Sequence, residues 1–206
     1  MARPVNISDQ RIIDTARELF LERGLAATEM KDIAQRVGIG RSSLYRHFES
    51  KESLAFSIAA GILTELDKAE AEPLPETADG ASALLFILER YVERLIGRIE
   101  QVRFLDEFDQ LFSDAYPAGK AANDYIAFIK ELKHSSVEEA LARGAADGSL
   151  LPIQSTDFTA RFLQNTLLGL AQRVLPRAAH YQEEQGYSLE FLRQCPRVLV
   201  QGISAK

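Results

Sequence analysis

Apolar residues recur at helical spacing along almost the whole chain. In the first such segment, residues 8–23, Ile12, Ala16 and Leu19 fall on one face, as a period of 3.6 residues requires. Further helices are predicted over residues 50–70, 81–99, 102–116, 119–143, 156–175 and 188–202. The pattern is interrupted at residues 72–80, 144–155 and 177–187. Because no strand-like alternation is sustained anywhere, the sequence predicts an all-α fold.

Two short helical patterns meet at a glycine turn within residues 28–51. In the first, Ile33 and Val37 share one face, and Thr28 is placed to cap the amino end. Gly38 follows at the position where helices commonly end with positive φ. The second pattern starts directly after the turn. This arrangement is typical of a helix-turn-helix, which presents its second helix to the major groove of DNA.

Hydroxyl and cationic side chains cluster on and around the second of these helices. Arg41 and Lys51 lie in first helical turns, where the helix dipole disfavours a cation by about 0.3–1 kcal/mol and a bound phosphate would reverse that sign. An ordinary helical hairpin with a solvated polar face is the simpler interpretation, but it does not explain these donors. The candidate DNA-contacting residues are Thr28, Arg41, Ser42, Ser43, Tyr45, His47 and Lys51.

The sequence IAQRVGIGRSS, followed directly by LYRHFESKESL, resembles the signature of the TetR (tetracycline-repressor-like) family of bacterial transcriptional regulators. The resemblance covers about the first quarter of the chain. It implies phosphate contacts for Thr28, Tyr45, His47 and Lys51, and places Arg41, Ser42 and Ser43 at the groove. Two positions depart from the pattern: Gly40 stands where serine is common, and Ser42 where glycine is common.

The resemblance also implies a domain organisation. A three-helix DNA-binding domain would occupy residues 1–50, and an effector-binding and dimerisation domain residues 51–206. The helix over residues 51–70 would connect them. The charge distribution agrees, because residues 1–60 carry a net charge of +1 within a chain of −6. Arg3 and Arg11 would extend the positive surface of the first domain.

The two last strong helical patterns, at residues 156–175 and 188–202, are apolar on more than one face. Burial inside one subunit explains one face, and the second face needs a partner. The pattern predicts an interface, and the resemblance identifies it as that of a homodimer. The candidate interface residues are Phe158, Leu163, Leu167, Leu170, Leu192 and Leu199.

Aromatic residues crowd the middle of the chain, and Phe104, Phe108 and Phe112 repeat every four residues. For any one of them a core position is the simpler interpretation. The resemblance implies a mostly apolar pocket for a small hydrophobic effector among these helices. The candidate effector-binding residues are Phe86, Arg90, Phe108, Phe128, Phe162 and Asn165.

The sequence does not indicate catalysis or metal binding. The three histidines are scattered without metal-ligand spacing, and Cys195, the single cysteine, has no catalytic neighbours. We therefore expect no catalytic residue, metal or cofactor, no membrane partner, and a cytoplasmic location. The sequence therefore predicts a homodimeric transcriptional regulator, and members of the family that it resembles are most often repressors. It would bind a palindromic operator in double-stranded DNA, and the effector would release it. The alternative is a helical small-molecule carrier or sensor with a non-functional DNA-binding head, which only Gly40 mildly favours.

Overall fold

The computed structural model describes residues 8–68 and 78–205, and these residues are α-helical without a named strand. Arg3 and most of the predicted break at 72–80 lie outside them. The chain forms two compact units, described below within these ranges. The first comprises the residues up to Leu63 and Arg103–Glu131, and the second Thr64–Val102 and Leu132–Lys206. The functional boundary at residue 50 remains a prediction.

The first unit contains four whole helices and parts of two others. Its helices are α1 (Asp9–Arg23), α2 (Met30–Val37), α3 (Arg41–His47), α4 (Lys51–Lys68, up to Leu63), α6 (Ile99–Leu111, from Arg103) and α7 (Lys120–Glu131). The Ser8 hydroxyl caps α1 by accepting the Arg11 N–H at 3.3 Å, and Gly24 ends it at φ 89°. The predicted cap and stop of this helix are therefore confirmed.

Aromatic rings form the core of this unit behind the short helices. Phe56 of α4 packs edge-on against Phe108 of α6, with the ring centroids 5.6 Å apart, and stacks on Phe112 at 4.8 Å. Tyr125 of α7 closes the cluster at 5.2 Å from Phe108. The four-residue repeat of phenylalanines is thus a core stripe, as the simpler interpretation of each residue expects.

The second unit contains the remaining helices. They are α5 (Gly80–Ile96), α8 (Ser135–Asp147), α9 (Thr156–Val174), α10 (Ala178–Gln185) and α11 (Leu189–Ile203), with the ends of α4 and α6. The end of α11 is tied to the α8–α9 connection, because the Leu151 N–H donates to the Ile203 carbonyl at 2.8 Å. No helix of the described ranges has the length and apolarity to span a bilayer.

Two sequence expectations about helix extent are wrong. The helix predicted over residues 102–116 ends at Leu111. The segment 119–143 is not one helix, because α7 ends at Glu131 and α8 starts at Ser135, with His134 before it at φ −102° and ψ 57°. The Leu132 carbonyl there accepts a hydrogen bond from Arg161 at 3.0 Å. For the segment 177–187 the sequence leaves an irregular or a weakly helical backbone open, and the structure has the eight-residue helix α10 there.

Helices α5 and α8 approach each other most closely at two glycines. A Cβ added to Gly80 would overlap the backbone N and Cα of Gly144. The Gly80 N–H also donates to the Asp147 carboxylate at 2.7 Å, so the start of α5 is fixed against the end of α8.

We expect Gly80→Ala to lower the free energy of unfolding by about 3 kcal/mol, because the clash is with backbone atoms that cannot rotate away. The measurement is urea denaturation followed by circular dichroism. Gly61→Ala is the control, since a Cβ there meets no heavy atom within 4 Å and should stabilise its helix by about 0.5–1 kcal/mol. Equal stability of the Gly80 variant and the natural chain would contradict the close crossing.

Candidate nucleic-acid interface

The turn between α2 and α3 has the geometry predicted from the sequence. Gly38 ends α2 in the left-handed region at φ 83°, and its N–H donates to the Ala34 carbonyl at 3.0 Å. Gly40 caps α3 without a side chain, and its carbonyl accepts the Ser43 N–H at 2.9 Å. Three residues, 38–40, therefore separate the end of the first helix from the start of the second.

Helix α3 has one inward side and a polar outward side. Leu44 is fully buried, whereas Arg41 and Ser42 are exposed and Ser43 is half-buried. Tyr45 keeps 51% of its surface exposed. A guanidinium, hydroxyls and a phenol are therefore displayed on one short helix, where they are available to base edges and phosphates.

His47 closes the end of α3 against the start of α1. Its Nδ1 lies 2.6 Å from the Asp9 carboxylate. The contact fixes the ring orientation and neutralises part of any positive charge on His47. A phosphate contact through Nε2 remains a prediction.

Lys51 is not a free surface cation. Its ammonium donates to the Leu25 carbonyl at 2.9 Å and the Ala26 carbonyl at 3.4 Å. An ammonium carries three N–H donors, so one remains for a phosphate. The predicted phosphate contact is compatible with this geometry but is not tested by it.

The expected role of Thr28 is wrong in two respects. The cap of α2 is Glu29, which forms a capping box with Asp32. Thr28 is completely buried, and its hydroxyl donates to the Gly24 carbonyl at 2.9 Å. In this geometry the hydroxyl holds the α1–α2 turn and is not available to a phosphate.

The six candidate effector-binding residues are divided between the two units. Phe108 and Phe128 belong to the first unit, and the other four to the second. Phe108 is fully buried in the aromatic cluster, so it supports the core and does not line a pocket. Phe162 is 54% exposed, and Asn165 is also exposed, with its amide donating to the Arg161 carbonyl. Phe86 is half-buried, and Arg90 is exposed.

Phe128 does line a cavity, which the sequence did not reveal. This cleft of the first unit encloses about 710 Å³ between Tyr45–Glu49, Phe56 and Tyr125, with Asp9 at its edge. Burial raises the pKa of the Tyr125 hydroxyl, which therefore stays protonated at neutral pH. The lining comes from segments far apart in the sequence, so no local spacing could have indicated it.

The candidate dimer residues differ in how far they are exposed. Leu163, Leu167 and Leu192 are buried within the single chain, so their assignment to an accessible surface is wrong. Leu170 and Leu199 are half-buried. The apolar residues that remain exposed on α9 and α11 are Phe158, Phe162, Phe191 and Val198. Of these, only Phe158 was expected at the interface.

Within the described residues, no three His, Cys, Asp or Glu side chains gather in a way that could hold a metal ion. The surface around α3 carries the hydrogen-bond donors of Arg41, Ser42 and Tyr45. A helix-turn-helix that displays such a face on an all-α chain defines a DNA-binding regulatory protein.

Comparison with known proteins identifies the family. The family model for bacterial regulatory proteins of the tetR family matches residues 12–58. The HTH-type transcriptional repressor KstR2 of Rhodococcus jostii (strain RHA1) is 31% identical over 159 residues, which span 75% of this chain and 74% of that repressor. The chain belongs to the tetR family of bacterial regulatory proteins.

Solved structures agree on the fold. A tetR-family regulatory protein from Rhodococcus RHA1 superposes with a TM-score of 0.66 at 16% identity, over 96% of this chain and 98% of that one. Thermus thermophilus FadR, a TetR family transcriptional repressor in complex with lauroyl-CoA, gives 0.65 at 20% identity, over 97% and 96%. At these identities the likeness concerns the fold alone.

We expect Thr28→Val to lower the free energy of unfolding by about 1–2 kcal/mol, because it leaves the Gly24 carbonyl without its buried donor. Thr28→Ser keeps the hydroxyl and serves as the control, with a smaller loss from the missing methyl group. Thermal denaturation measures both. Unchanged stability of the valine variant, together with weaker binding to every DNA sequence, would restore the phosphate role.

Proposed function

We propose that this chain is a homodimeric, ligand-responsive transcriptional regulator that represses by binding a palindromic operator. The observation that carries this proposal is the outward face of α3, where Arg41, Ser42 and Tyr45 are exposed around a buried Leu44. The similarity to a transcriptional repressor supports repression as the effect of this binding.

The roles on DNA follow from side-chain chemistry. Arg41 in the first turn of α3 is the residue suited to read a guanine, because a guanidinium bonds both O6 and N7. The Tyr45 hydroxyl and the remaining Lys51 donor would hold phosphates and set the register of the helix. Ser42 and Ser43 would adjust the preference among bases.

The exposed apolar face of α9 and α11 supports the dimer. The rings of Phe158 and Phe162 stack with their centroids 6.4 Å apart, and Val198 of α11 is 66% exposed. Apolar side chains repeated along two helices are costly to leave in water. A second copy would cover this face and set two α3 helices about 34 Å apart, the spacing of successive major-groove turns.

The effector would be a small hydrophobic molecule bound among the helices of the effector domain, with Phe86 and Arg90 as remaining candidate contacts. Thermus thermophilus FadR, which has a similar fold, is in complex with lauroyl-CoA, and the apolar acyl chain of that molecule supports the proposal. Helices α4 and α6 each run through a division between the two units. A shift of either helix would alter the α3 spacing, with a coupling of about 1–3 kcal/mol.

A carrier or sensor with a non-functional head is the alternative, and selection of DNA from a random pool separates the two functions. A regulator enriches a palindrome, and a carrier enriches nothing. Binding to the enriched duplex should weaken steeply with salt, because each neutralised phosphate releases a counterion.

On that duplex we expect Arg41→Ala to lower affinity by about 5- to 150-fold and to reduce discrimination at one base position, as loss of a bidentate contact would. Tyr45→Phe should weaken all sequences alike, by about 2- to 10-fold, because it removes a phosphate bond. Fluorescence anisotropy measures both.

Arg36→Ala is the matched charge control. Arg36 is exposed on α2 and pairs with Glu22 at 3.3 Å, away from α3. Its loss should leave sequence preference unchanged. If Arg41→Ala behaved like this control, α3 would not be the reading helix.

Phe162→Asp should convert the dimer to a monomer at micromolar concentration, because it places a charge in the apolar contact. Leu111→Asp is the control, since Leu111 is 50% exposed but lies on α6 in the first unit. Sedimentation velocity reports both masses. A dimer that survives the Phe162 change would place the interface elsewhere.

A further inference from the structure

One residue of the α1–α2 turn is held on both sides of its backbone. The Leu25 N–H donates to the Glu107 carboxylate of α6 at 2.6 Å. The Leu25 carbonyl accepts the Lys51 ammonium of α4 at 2.9 Å. Helices α4 and α6, both distant in the sequence, therefore bind the backbone of Leu25, and both contacts lie within the first unit.

The contact with Glu107 is a strong one. A hydrogen bond from an N–H to an ionised carboxylate is about twice as strong as a neutral one. Leu25 is buried, so its N–H would be costly to leave without an acceptor. Glu107 is eighty-two residues away in the sequence, so the bond fixes tertiary structure and not local geometry.

Glycine at position 24 leaves room for the Glu107 carboxylate. A Cβ at Gly24 would lie 3.2 Å from both Glu107 oxygens, closer than ordinary packing allows. The positive φ of 89° at this residue independently favours glycine. The α1–α2 turn is therefore shaped both to end a helix and to admit Glu107.

A second contact lies one turn earlier on the same face of α6. The Phe104 ring stacks on Phe20 of α1 with the centroids 6.0 Å apart and the planes at 15°. Both rings are buried. Phe104 thus attaches α6 to α1 by an apolar contact, and Glu107 attaches it to the α1–α2 turn by a charged one.

We infer that Glu107 is a positioning residue for DNA binding, which sets the orientation of the helix-turn-helix by holding the Leu25 N–H. This inference rests on the proposed function. Helix α6 starts at Ile99, so the helix that carries Glu107 also includes residues of the second unit. The turn is joined onward to α2, because the buried Thr28 hydroxyl bonds the Gly24 carbonyl. A displacement of α6 would therefore move the helix-turn-helix through the contact at Leu25.

Three variants of the full chain separate the hydrogen bond from charge. Glu107→Ala removes the acceptor, and Glu107→Gln keeps a neutral acceptor. Asp106→Ala removes the same charge from the neighbouring position, where the Asp106 carboxylate accepts a hydrogen bond from the Gln110 amide of its own helix. All three lessen repulsion of DNA, so charge alone would strengthen binding in each.

The readout is the ratio of affinities for two duplexes. One is the palindrome that the natural chain enriches, and the other carries two extra base pairs between its half-sites. Because one helical turn is about 10–10.5 base pairs, the insertion rotates one half-site away from its reading helix. A head held in one orientation distinguishes the two duplexes strongly.

We expect Glu107→Ala to bind the palindrome about five- to tenfold more weakly and to lower the affinity ratio by a similar factor. Glu107→Gln should keep most of the ratio, and Asp106→Ala should keep all of it. The Leu25 amide should exchange its hydrogen at least about tenfold faster in the alanine variant, because local opening no longer breaks a charged bond.

An unchanged affinity ratio in Glu107→Ala would overturn the inference, even if both duplexes bound more weakly, since that pattern reports lost stability and not lost orientation. An unchanged Leu25 exchange rate would overturn it as well. Should the alanine variant not fold, the glutamine variant must show faster Leu25 exchange than the natural chain. If the natural chain enriches no DNA, the proposed function fails, and the exchange rates still decide whether Glu107 holds the turn.

Discussion

The surface proposed to face DNA depends on the burial of one leucine. Helix α3 has seven residues, and Leu44 is the one that is buried. A helix of two turns is not stable alone in water, because its nucleation costs more than its few hydrogen bonds return. Packing of Leu44 must therefore supply the stability of α3. The same packing turns Arg41 and Tyr45 outward, so the fold and the polar face have a single cause.

Local chemistry made the helix-turn-helix predictable. Gly24 and Gly38 stand where backbones with φ 89° and 83° are needed, and few other residues adopt such angles. Thr28 shows where local signals end. Threonine, glutamate and aspartate all occur in the sequence TEMKD, and any of them can cap a helix. Glu29 is the cap of α2, because the turn places the buried Thr28 hydroxyl against the Gly24 carbonyl.

Other features were decided by tertiary partners that spacing does not reveal. Periodicity found two apolar faces on α9, but not which one points inward. Leu163 and Leu167 face the core, and Phe158 and Phe162 face outward. The break at His134 likewise depends on its partner, because its ring lies 3.0 Å from Asp67, a residue distant in the sequence. The cleft beside Tyr125 is assembled from several segments and has no local signature.

Electrostatics explains why such a head would need to work in pairs. Residues 1–60 carry a net charge of only +1, and the Asp9 carboxylate lies 2.6 Å from the His47 ring at the end of α3. One head can neutralise few phosphates, so its general attraction to DNA is weak. Joining two heads makes the second contact intramolecular and raises affinity without any new contact. The same arrangement suits control, because affinity that depends on the simultaneous fit of two heads is lost when their spacing changes slightly. A coupling of about 1–3 kcal/mol is then sufficient to release DNA, and contacts such as Glu107 with Leu25 are of the strength that can transmit it.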